Sequence, residues 1–376
     1  MDIIRFLHCA DLHLGAEFSS LGGLGPSRRE ELFMTFEKIL SLCREKQPDF
    51  LLIAGDLFDT DAPEPSLVRR VKEGLAAIPE TEVVIAPGNH DYLSSRSPYL
   101  SQWSANVHIF SRGVHCFPFP QKGTCVYGAG FTASYEPAPL LQQLPPEKEG
   151  RIRLGVLHGD FAGAGAYNPL SEGDLRASGL QYVALGHVHQ PSPTPQKAGK
   201  TLYAYSGSPE GCGFDELGPR GIYEGSISAA GEVIASFHAI CKRMYLAPSV
   251  DISGLSDPAA MEQAVVHRLE QEYGEGWKEN FYKIYLRGSC SLSPDGFHAL
   301  STRLSEKLYF CKLRDETAPE EDWEALSQET SLKGMFVKEM LRRMNAARTK
   351  EELERDRQAL RFGIKVLQGE VEADEN

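Results

Sequence analysis

The 376-residue sequence lacks several features that mark whole classes of protein. None of its eight cysteines lies in a CxxC pair, which argues against thiolate zinc sites and redox motifs. No hydrophobic run approaches the roughly 20 residues of a membrane-spanning helix, and there is no internal repeat. The N-terminal apolar run is interrupted by Arg5 and His8, so it predicts a strand and not a signal peptide. We therefore expect a cytoplasmic protein with reduced thiols and no membrane association.

A net positive charge is also lacking, because the formal net charge at pH 7 is −13. Part of the acidity lies near the C-terminus, in 315–316, 320–322 and 370–375. Nucleic-acid-binding proteins are often basic, so the chain alone is predicted to bind DNA weakly and with strong salt dependence. Among the few basic clusters, Arg28-Arg29 is the favoured candidate for a contact with a phosphate backbone. A solvated helix face is the alternative for each cluster.

Five short motifs rich in aspartate and histidine occur in the first half of the chain. Each follows a short apolar run of the kind that forms a buried strand. A helical stretch with an apolar face from Leu32 to Cys43 separates the first two. Because ligand sites of α/β sheets lie beyond the carboxyl ends of the strands, the motifs are predicted to converge. The motifs are Asp11-Leu12-His13, Gly55-Asp56-Leu57-Phe58-Asp59, Gly88-Asn89-His90-Asp91, His158-Gly159-Asp160 and Gly186-His187-Val188-His189.

The motif side chains offer carboxylate, amide and imidazole ligands, which suit divalent manganese, iron or zinc. Two close ions with an open face are a common device for displacement at phosphorus, since they activate a water and hold the hydroxide for attack. Asp56 is the favoured bridging ligand. Asp11, His13 and a distal histidine would complete one metal site, and Asn89 with two other histidines the second. The sequence therefore predicts a two-metal phosphodiesterase.

Two further motif residues are predicted to act in catalysis. His90 directly follows Asn89, so it cannot easily bind the same ion and is better placed to protonate the leaving alkoxide or to stabilise charge on phosphorus. Asp59 could hold the His90 ring in the required tautomer. By contrast, Asp91 and Asp160 are expected to cap turns or helices, and the histidines outside the motifs are expected to be ordinary polar or core residues.

These motifs resemble those of the calcineurin-like metallophosphoesterase superfamily, and most closely its DNA-repair exonuclease branch with the SbcD-like and YhaO-type nuclease subunits. Residues 10–15 have the nuclease-branch form of the first motif. Residues 55–60 lack the Arg-Gly that protein phosphatases carry, and Asp91 stands where those phosphatases have glutamate. The segment 205–221 is also similar to this branch. The resemblance is good over residues 1–245 and loose beyond.

The resemblance implies a four-layer α-β-β-α sandwich, in which helices cover two facing mixed sheets. It implies a DNA exonuclease or endonuclease of DNA repair that degrades DNA in the 3′ to 5′ direction. Two divalent ions per chain are implied, with Mn²⁺ preferred and Fe²⁺ or Zn²⁺ as alternatives. DNA and an SbcC-like coiled-coil ATPase are the implied partners, and a homodimer is an alternative arrangement. By resemblance, His90 is catalytic with Asp59 beside it, and the metal ligands are Asp11, His13, Asp56 and His189 for one ion and Asp56, Asn89, His158 and His187 for the other.

The second half of the chain has its own organisation. Helical and strand patterns alternate after Tyr245–Val250, with helices at 261–273 and 296–308 and strands at 281–286 and 308–314. We predict a metallophosphoesterase (nuclease) domain at 1–245, a small α/β capping domain at 246–318 and a C-terminal helical segment at 319–376. The apolar faces of the last segment fit packing against the protein's own body or an antiparallel helix pair, and the alternative is a docking module for the ATPase coiled coil.

Two other functions remain open from the sequence. One is a small-molecule phosphodiesterase or nucleotidase that uses the same site. The other is a regulatory component of a DNA complex with vestigial catalysis, which the full set of motif residues disfavours. The predicted capping domain and helical tail favour the nuclease over the small-molecule enzyme.

Overall fold

The computed structural model describes residues 3–144, 152–161, 167–290, 292–318 and 323–368. The chain divides into two units, Met1–Ala247 with Glu279–Tyr282, and Pro248–Lys278 with Lys283–Asn376. The division falls close to the predicted boundary near residue 245, while the three-domain organisation stays a prediction. The acidic stretches 320–322 and 370–375 lie outside the described residues. Of the described helices, none has the length and apolar character needed to cross a bilayer.

The first unit is built from thirteen strands and three α-helices among its described residues, and all five predicted motif strands are present. The helices are α1 Gly25–Lys46, α2 Pro65–Ala76 and α3 Glu172–Ala177. The strands are β1 Ile4–Cys9, β2 Phe50–Ile53, β3 Glu82–Ile85, β4 Val107–Ile109, β5 His115–Phe119, β6 Thr124–Gly128, β7 Ile152–His158, β8 Tyr182–Gly186, β9 Gln196–Ala198, β10 Thr201–Tyr205, β11 Gly221–Ile227, β12 Val233–Ala239 and β13 Tyr245–Leu246.

Twelve of these strands form two mixed six-stranded sheets. The first has the order β12-β11-β1-β2-β3-β4, and the second has the order β5-β6-β7-β8-β10-β9. Strands β1 to β4 are mutually parallel, as are β6, β7, β8 and β10. The antiparallel strands lie at the ends of the two sheets. Because the motif strands are parallel within each sheet, their carboxyl ends lie at one edge.

Alternation along the strands separates an inner core from an outer one. Phe6 on β1 and Leu52 on β2 point to the second sheet, where they pack with Leu154 and Tyr182. The intervening residues of β1 to β3 pack with α1 and α2 on the outer side, and α3 contributes Leu175 to the outer core of the second sheet. Side chains of a strand alternate between faces, so each sheet is covered on both sides. The predicted four-layer α-β-β-α sandwich is confirmed.

Helix α1 supplies most of the outer cover of the first sheet. Pro26 lies in its first turn, where a missing N–H costs nothing, and Gln47 ends it in a left-handed conformation with φ 46°. The predicted apolar face from Leu32 to Cys43 is buried in the chain's own core. That face is therefore not an exposed surface for a second copy of the chain.

The second unit combines a small sheet with five helices among its described residues. Strand β14 runs parallel to β15, and β16 pairs with β15. Helix α4 packs against β14 and α5 against β16. The predicted alternation of helices and strands in this region is confirmed. The elements are β14 Ser249–Asp251, α4 Pro258–Tyr273, β15 Phe281–Ser289, α5 Pro294–Ser305, β16 Phe310–Ala318, α6 Trp323–Ser327, α7 Leu332–Ala346 and α8 Lys350–Gln368.

The last two helices form an antiparallel pair, which is one of the predicted arrangements. Val337 and Met340 of α7 are buried with Leu360 and Ile364 of α8. A short connection joins the helices, and the backbone N–H of Glu352 donates to the Thr349 hydroxyl at the start of α8. This hairpin has its own small apolar core.

The prediction that Arg28 contacts DNA is wrong, because its side chain is fully buried. Its guanidinium lies 2.9 Å from a Glu31 carboxylate oxygen and 2.7 Å from one of Glu210, and it donates to the Gly211 carbonyl at 2.6 Å. Arg243 reaches the other Glu31 oxygen at 2.8 Å. Sequence could not separate Arg28 from its exposed neighbour, since both lie in a polar stretch at the start of α1.

Replacing Arg28 by methionine should lower the free energy of unfolding by about 3 kcal/mol, because the buried carboxylates of Glu31 and Glu210 lose a cationic partner. The matched change Arg29→Met, at the exposed neighbour, should stay within about 0.5 kcal/mol of the wild type. Urea unfolding followed by tryptophan fluorescence measures both. Equal, small effects of the two changes would contradict this account of the buried ion pairs.

Candidate metal centre

The five motifs converge at the carboxyl ends of five strands. Asp11 and His13 follow β1, Asp56 and Asp59 follow β2, and Asn89 and His90 follow β3 in the first sheet. In the second sheet, His158 ends β7, and His187 and His189 follow β8. All nine predicted site residues lie in one cluster of contacts. The site is therefore built from the carboxyl edges of both sheets.

In one half of the cluster, two imidazole nitrogens face each other. The Nε2 atoms of His13 and His189 are 3.1 Å apart. The Nδ1 of His13 lies 3.1 Å from an Asp59 carboxylate oxygen, and that of His189 lies 2.6 Å from one of Glu216. Since a carboxylate only accepts, both Nδ1 atoms carry hydrogen, and in neutral rings both Nε2 atoms present lone pairs. Two facing lone pairs repel unless a proton or a metal ion lies between them.

The other half repeats this arrangement with different donors. His158 donates from Nδ1 to the Ala54 carbonyl at 2.9 Å, so its Nε2 presents a lone pair. That Nε2 lies 2.8 Å from Asn89 Oδ1 and 3.4 Å from Asp56 Oδ2. The Nδ1 of His187 lies 3.1 Å from the same Asn89 oxygen. His158 Nε2, Asn89 Oδ1 and Asp56 Oδ2 thus lie together, and His187 Nδ1 lies beside the same Asn89 oxygen.

These separations fit divalent metal ions. Bonds of 2.0–2.1 Å from a metal to its ligands place neighbouring ligand atoms about 3.0–3.4 Å apart. Three groups of three acidic or histidine residues have donor atoms within 4.8 Å of one another: Asp11, His13 and His189; His13, Asp56 and His90; and Asp11, Asp56 and His158. The residues therefore could hold cations, and Asp11, His13 and Asp56 each belong to two of the groups.

The electrostatics of the cluster favour a proton on the His13 ring and disfavour one on the His187 ring. Burial opposes protonation of His13, but the hydrogen bond to Asp59 and the charges of Asp56 and Asp11 outweigh it and raise its pKa to about 9. Burial lowers the pKa of His187 to about 4, and the nearby His158 acts in the same direction. At neutral pH a proton on His13 is thus stable where a metal ion would otherwise neutralise the carboxylates. Metal binding to this ring would displace that proton.

The backbone adopts costly conformations to bring these side chains together. Asp11, His13, Asp56 and His187 have φ between 45° and 97°, in the left-handed region that non-glycine residues rarely adopt. Such strain persists where the surrounding structure imposes it, and it is common at functional sites. At Gly186, an added Cβ would collide with the Ala54 carbonyl.

His90 and Asp59 lie at the mouth of the cluster. The His90 ring is 45% exposed, and its backbone N–H donates to Asp56 Oδ1 at 2.9 Å. Its Nδ1 lies 3.3 Å from the Asp59 carbonyl oxygen and 3.8 Å from the carboxylate. The Asp59 carboxylate is closer to His13 than to His90. Asp91 accepts from the backbone N–H groups of Gly88 and Phe58, as expected of a residue that caps a turn.

Sequence reasoning missed Glu216. This carboxylate is 4% exposed and accepts from His189 Nδ1 at 2.6 Å, from the Ser208 hydroxyl at 2.7 Å and from the Cys212 N–H at 2.9 Å. These interactions outweigh burial and lower its pKa to about 2. The segment 205–221 was a family signal, but no histidine or aspartate pattern singled out this residue within it.

A family model described as calcineurin-like phosphoesterase matches residues 4–191, half of the chain. The chain belongs to the calcineurin-like phosphoesterase family. The match spans all five motifs and the strands that carry them, so the donor cluster of this phosphoesterase lies within the part of the chain that defines the family.

Curated relatives of this phosphoesterase include DNA-repair proteins. The chain is 26% identical to the uncharacterized metallophosphoesterase YhaO of Bacillus subtilis, over 70% of the chain and 66% of the relative. It is 24% identical to the DNA double-strand break repair protein Mre11 of Methanopyrus kandleri, over 92% and 78%. It is 27% identical to the SbcD component of the nuclease SbcCD of Bacillus subtilis, over 57% and 64%. The predicted resemblance to the DNA-repair nuclease branch is confirmed, and the chain spans about two thirds of the two Bacillus relatives.

Removing the Glu216 carboxylate should weaken metal binding at one site only. We expect Glu216→Ala to reduce the affinity for one of two Mn²⁺ ions by about 10–100-fold, because the His189 ring loses the partner that orients it. Glu216→Gln keeps an accepting oxygen and should retain most of the affinity. Calorimetric titration of the metal-free protein measures both sites. An equal loss at both sites, or none, would contradict this role.

Proposed function

We propose that the chain is a two-metal phosphodiesterase that acts as the DNA exonuclease or endonuclease subunit of a DNA-repair complex. The observation that carries the proposal is that two groups of possible metal ligands both approach the Asp56 carboxylate. One contains His13 and His189, and the other contains His158 and Asn89. The names of the Mre11 and SbcCD relatives support DNA as the substrate. Manganese is the proposed metal, with iron or zinc as alternatives.

The proposed ligands follow from the donor atoms. His13 and His189 face each other through Nε2 and, with Asp11 and Asp56, would hold one ion. The second ion would take Asp56 and the Asn89 amide oxygen, together with His158 and His187. Neutral ligands outnumber carboxylates in this set, so the loaded site stays net positive toward a phosphate. Bound ions would supply Lewis-acid stabilisation and an activated water.

His90 is the proposed catalytic residue of the chain itself. Its Nδ1 lies 3.3 Å from the Asp59 carbonyl oxygen, so that nitrogen carries hydrogen and Nε2 is the nitrogen left to meet a substrate. A ring protonated on both nitrogens would donate its Nε2 proton to the leaving oxygen. Asp59 would position two rings, since its carboxylate accepts from His13 and its backbone carbonyl accepts from His90.

Two variants separate metal binding from catalysis. His90→Ala should lower kcat for a chromogenic phosphodiester with Mn²⁺ by about 10²–10⁴-fold and keep both metal ions, because the ring transfers a proton but binds no ion. Asp56→Ala should lose both activity and metal. Steady-state kinetics and metal analysis of the purified proteins measure these effects. Loss of metal in His90→Ala would make His90 a ligand.

An end-labelled DNA duplex assayed beside the chromogenic ester distinguishes the proposed nuclease from its alternative. Degradation of both substrates, absent in Asp56→Ala, would support the nuclease, and the pattern of labelled products would give the polarity, for which 3′ to 5′ is proposed. Hydrolysis of the small ester alone, also in the presence of a partner ATPase, would favour a small-molecule phosphodiesterase or nucleotidase.

The C-terminal hairpin is the proposed docking site for an SbcC-like coiled-coil ATPase. Leu332 and Met335 on α7 are 70% and 68% exposed, and Phe362 and Val366 on α8 are 62% and 50% exposed. Large apolar side chains rarely lie exposed in groups unless they contact a partner. A coiled coil offers a matching apolar seam. A cytoplasmic location and a homodimer are also part of the proposal. No described surface is assigned to the dimer.

Charges on the exposed apolar residues of the hairpin should abolish ATPase binding. We expect the double change Met335→Glu/Phe362→Glu to prevent co-purification with the coiled-coil ATPase of the same organism and to leave hydrolysis of the chromogenic ester unchanged. Glu339→Ala, at an exposed polar position of α7, is the control and should still bind. Undiminished binding by the double variant would refute this docking site.

A further inference from the structure

The small sheet of the second unit has one face that neither α4 nor α5 covers. Ile284 and Leu286 of β15 are fully buried, as are Val265 of α4 and Leu300 of α5, the helices that pack against the neighbouring strands β14 and β16. Because side chains alternate along a strand, Lys283, Tyr285 and Arg287 lie on the opposite side. We call this opposite side the β15 face.

Neighbouring strands extend the β15 face in register. On β14, Asp251 pairs with Arg287 and flanks it on the same side. On β16, Glu316 lies 3.0 Å from the Arg287 guanidinium, so Glu316 shares that side, and alternation places Lys312 and Arg314 there too. Lys312, Arg314 and Arg287 are all exposed. The face is therefore three strands wide.

The charge of the β15 face is opposite to that of the chain. Four cations, Lys283, Arg287, Lys312 and Arg314, stand against two carboxylates, while the whole chain carries −13. One carboxylate is already taken by Arg287, and Asp251 accepts from the Ser253 hydroxyl and N–H. Within the described residues, Lys283, Lys312 and Arg314 form no ion pair. These three cations are available to a polyanion.

Aromatic rings are interleaved with these cations. The Tyr285 ring lies 5.5 Å from Lys283 Nζ and 6.0 Å from the Arg287 guanidinium carbon, and the Phe310 ring lies 5.5 Å from Lys312 Nζ. Within this range a cation is attracted to the face of the ring. Rings that cations flank can stack a base while the cations bind the phosphates on either side.

We propose that the β15 face binds single-stranded nucleic acid, with Tyr285 stacking a base and Lys283, Lys312 and Arg314 contacting the backbone. The choice of nucleic acid over other polyanions rests on the proposed function. A single strand is the specific ligand because its bases are free to stack on a ring, whereas duplex bases stack on one another. This face gives an acidic protein a local surface for a polyanion that its overall charge repels.

The test measures binding of a fluorescent oligothymidylate to the full chain by anisotropy, at several salt concentrations and with EDTA present so that no cleavage occurs. Lys312→Ala/Arg314→Ala should weaken binding. It should also reduce the magnitude of the slope of log K against log salt concentration by about 1.4, since each lost phosphate contact on a single strand removes about 0.7. Tyr285→Ala should weaken binding about tenfold, and Tyr285→Phe should not.

A matched control removes the same charge elsewhere. Arg268 pairs with Glu272 on α4, and Arg342 pairs with Glu339 on α7, and both pairs are exposed. Arg268→Ala/Arg342→Ala should bind the oligonucleotide as the wild type does. Thermal melting shows whether each variant is folded, and the chromogenic ester should be hydrolysed equally by all of them.

The β15 face proposal is overturned if Lys312→Ala/Arg314→Ala binds no more weakly than the control, or if Tyr285→Ala and Tyr285→Phe bind alike. Failure of the proposed function is separate, because it appears as a wild-type chain that binds the oligonucleotide through this face yet does not degrade DNA with Mn²⁺.

Discussion

Mutual repulsion among buried electron-pair donors is the constraint on which the rest of this structure depends. Asp56 is 1% exposed, and imidazole nitrogens from both sheets lie within 4 Å of its carboxylate. Without a metal ion, a proton on His13 offsets part of this repulsion, and the scaffold around the site must supply the rest of the force that holds the donors together. The scaffold supplies that force through left-handed backbone at four site residues and through side chains that fix each ring. A site of this kind is preorganised for charge that arrives from outside.

The supporting layer extends from the cluster into the body of the first unit. Glu216 orients His189, and the loop that carries Glu216 is tied to α1 by Arg28, which reaches both Glu210 and the Gly211 carbonyl. A buried arginine among carboxylates is expensive to desolvate. Arg28 therefore has a structural role in fixing the loop beside the donor cluster, since one guanidinium nitrogen meets the carboxylates of Glu31 and Glu210 and another donates to the Gly211 carbonyl.

Charge is distributed over the molecule according to what each part does. The donor cluster concentrates carboxylates that cations would neutralise, and the chain as a whole is acidic. The second unit has a sheet face on which cations and aromatic rings alternate, and the C-terminal hairpin has exposed apolar residues. Each of these surfaces has a different chemistry and would suit a different partner.

The motifs, the strands that precede them, the sandwich fold and the family were predictable from the sequence, because apolar runs and ligand-bearing turns are local patterns. The helices of the C-terminal hairpin were predictable for the same reason. Tertiary structure alone decided that Arg28 is buried while Arg29 is exposed, that Glu216 rather than another acid supports His189, and that the Asp59 carboxylate lies nearer His13 than His90. It also decided that lysines on separate strands share a face with Tyr285. These features depend on pairing between segments far apart in the chain, and a local pattern carries no information about which distant partner a polar side chain meets.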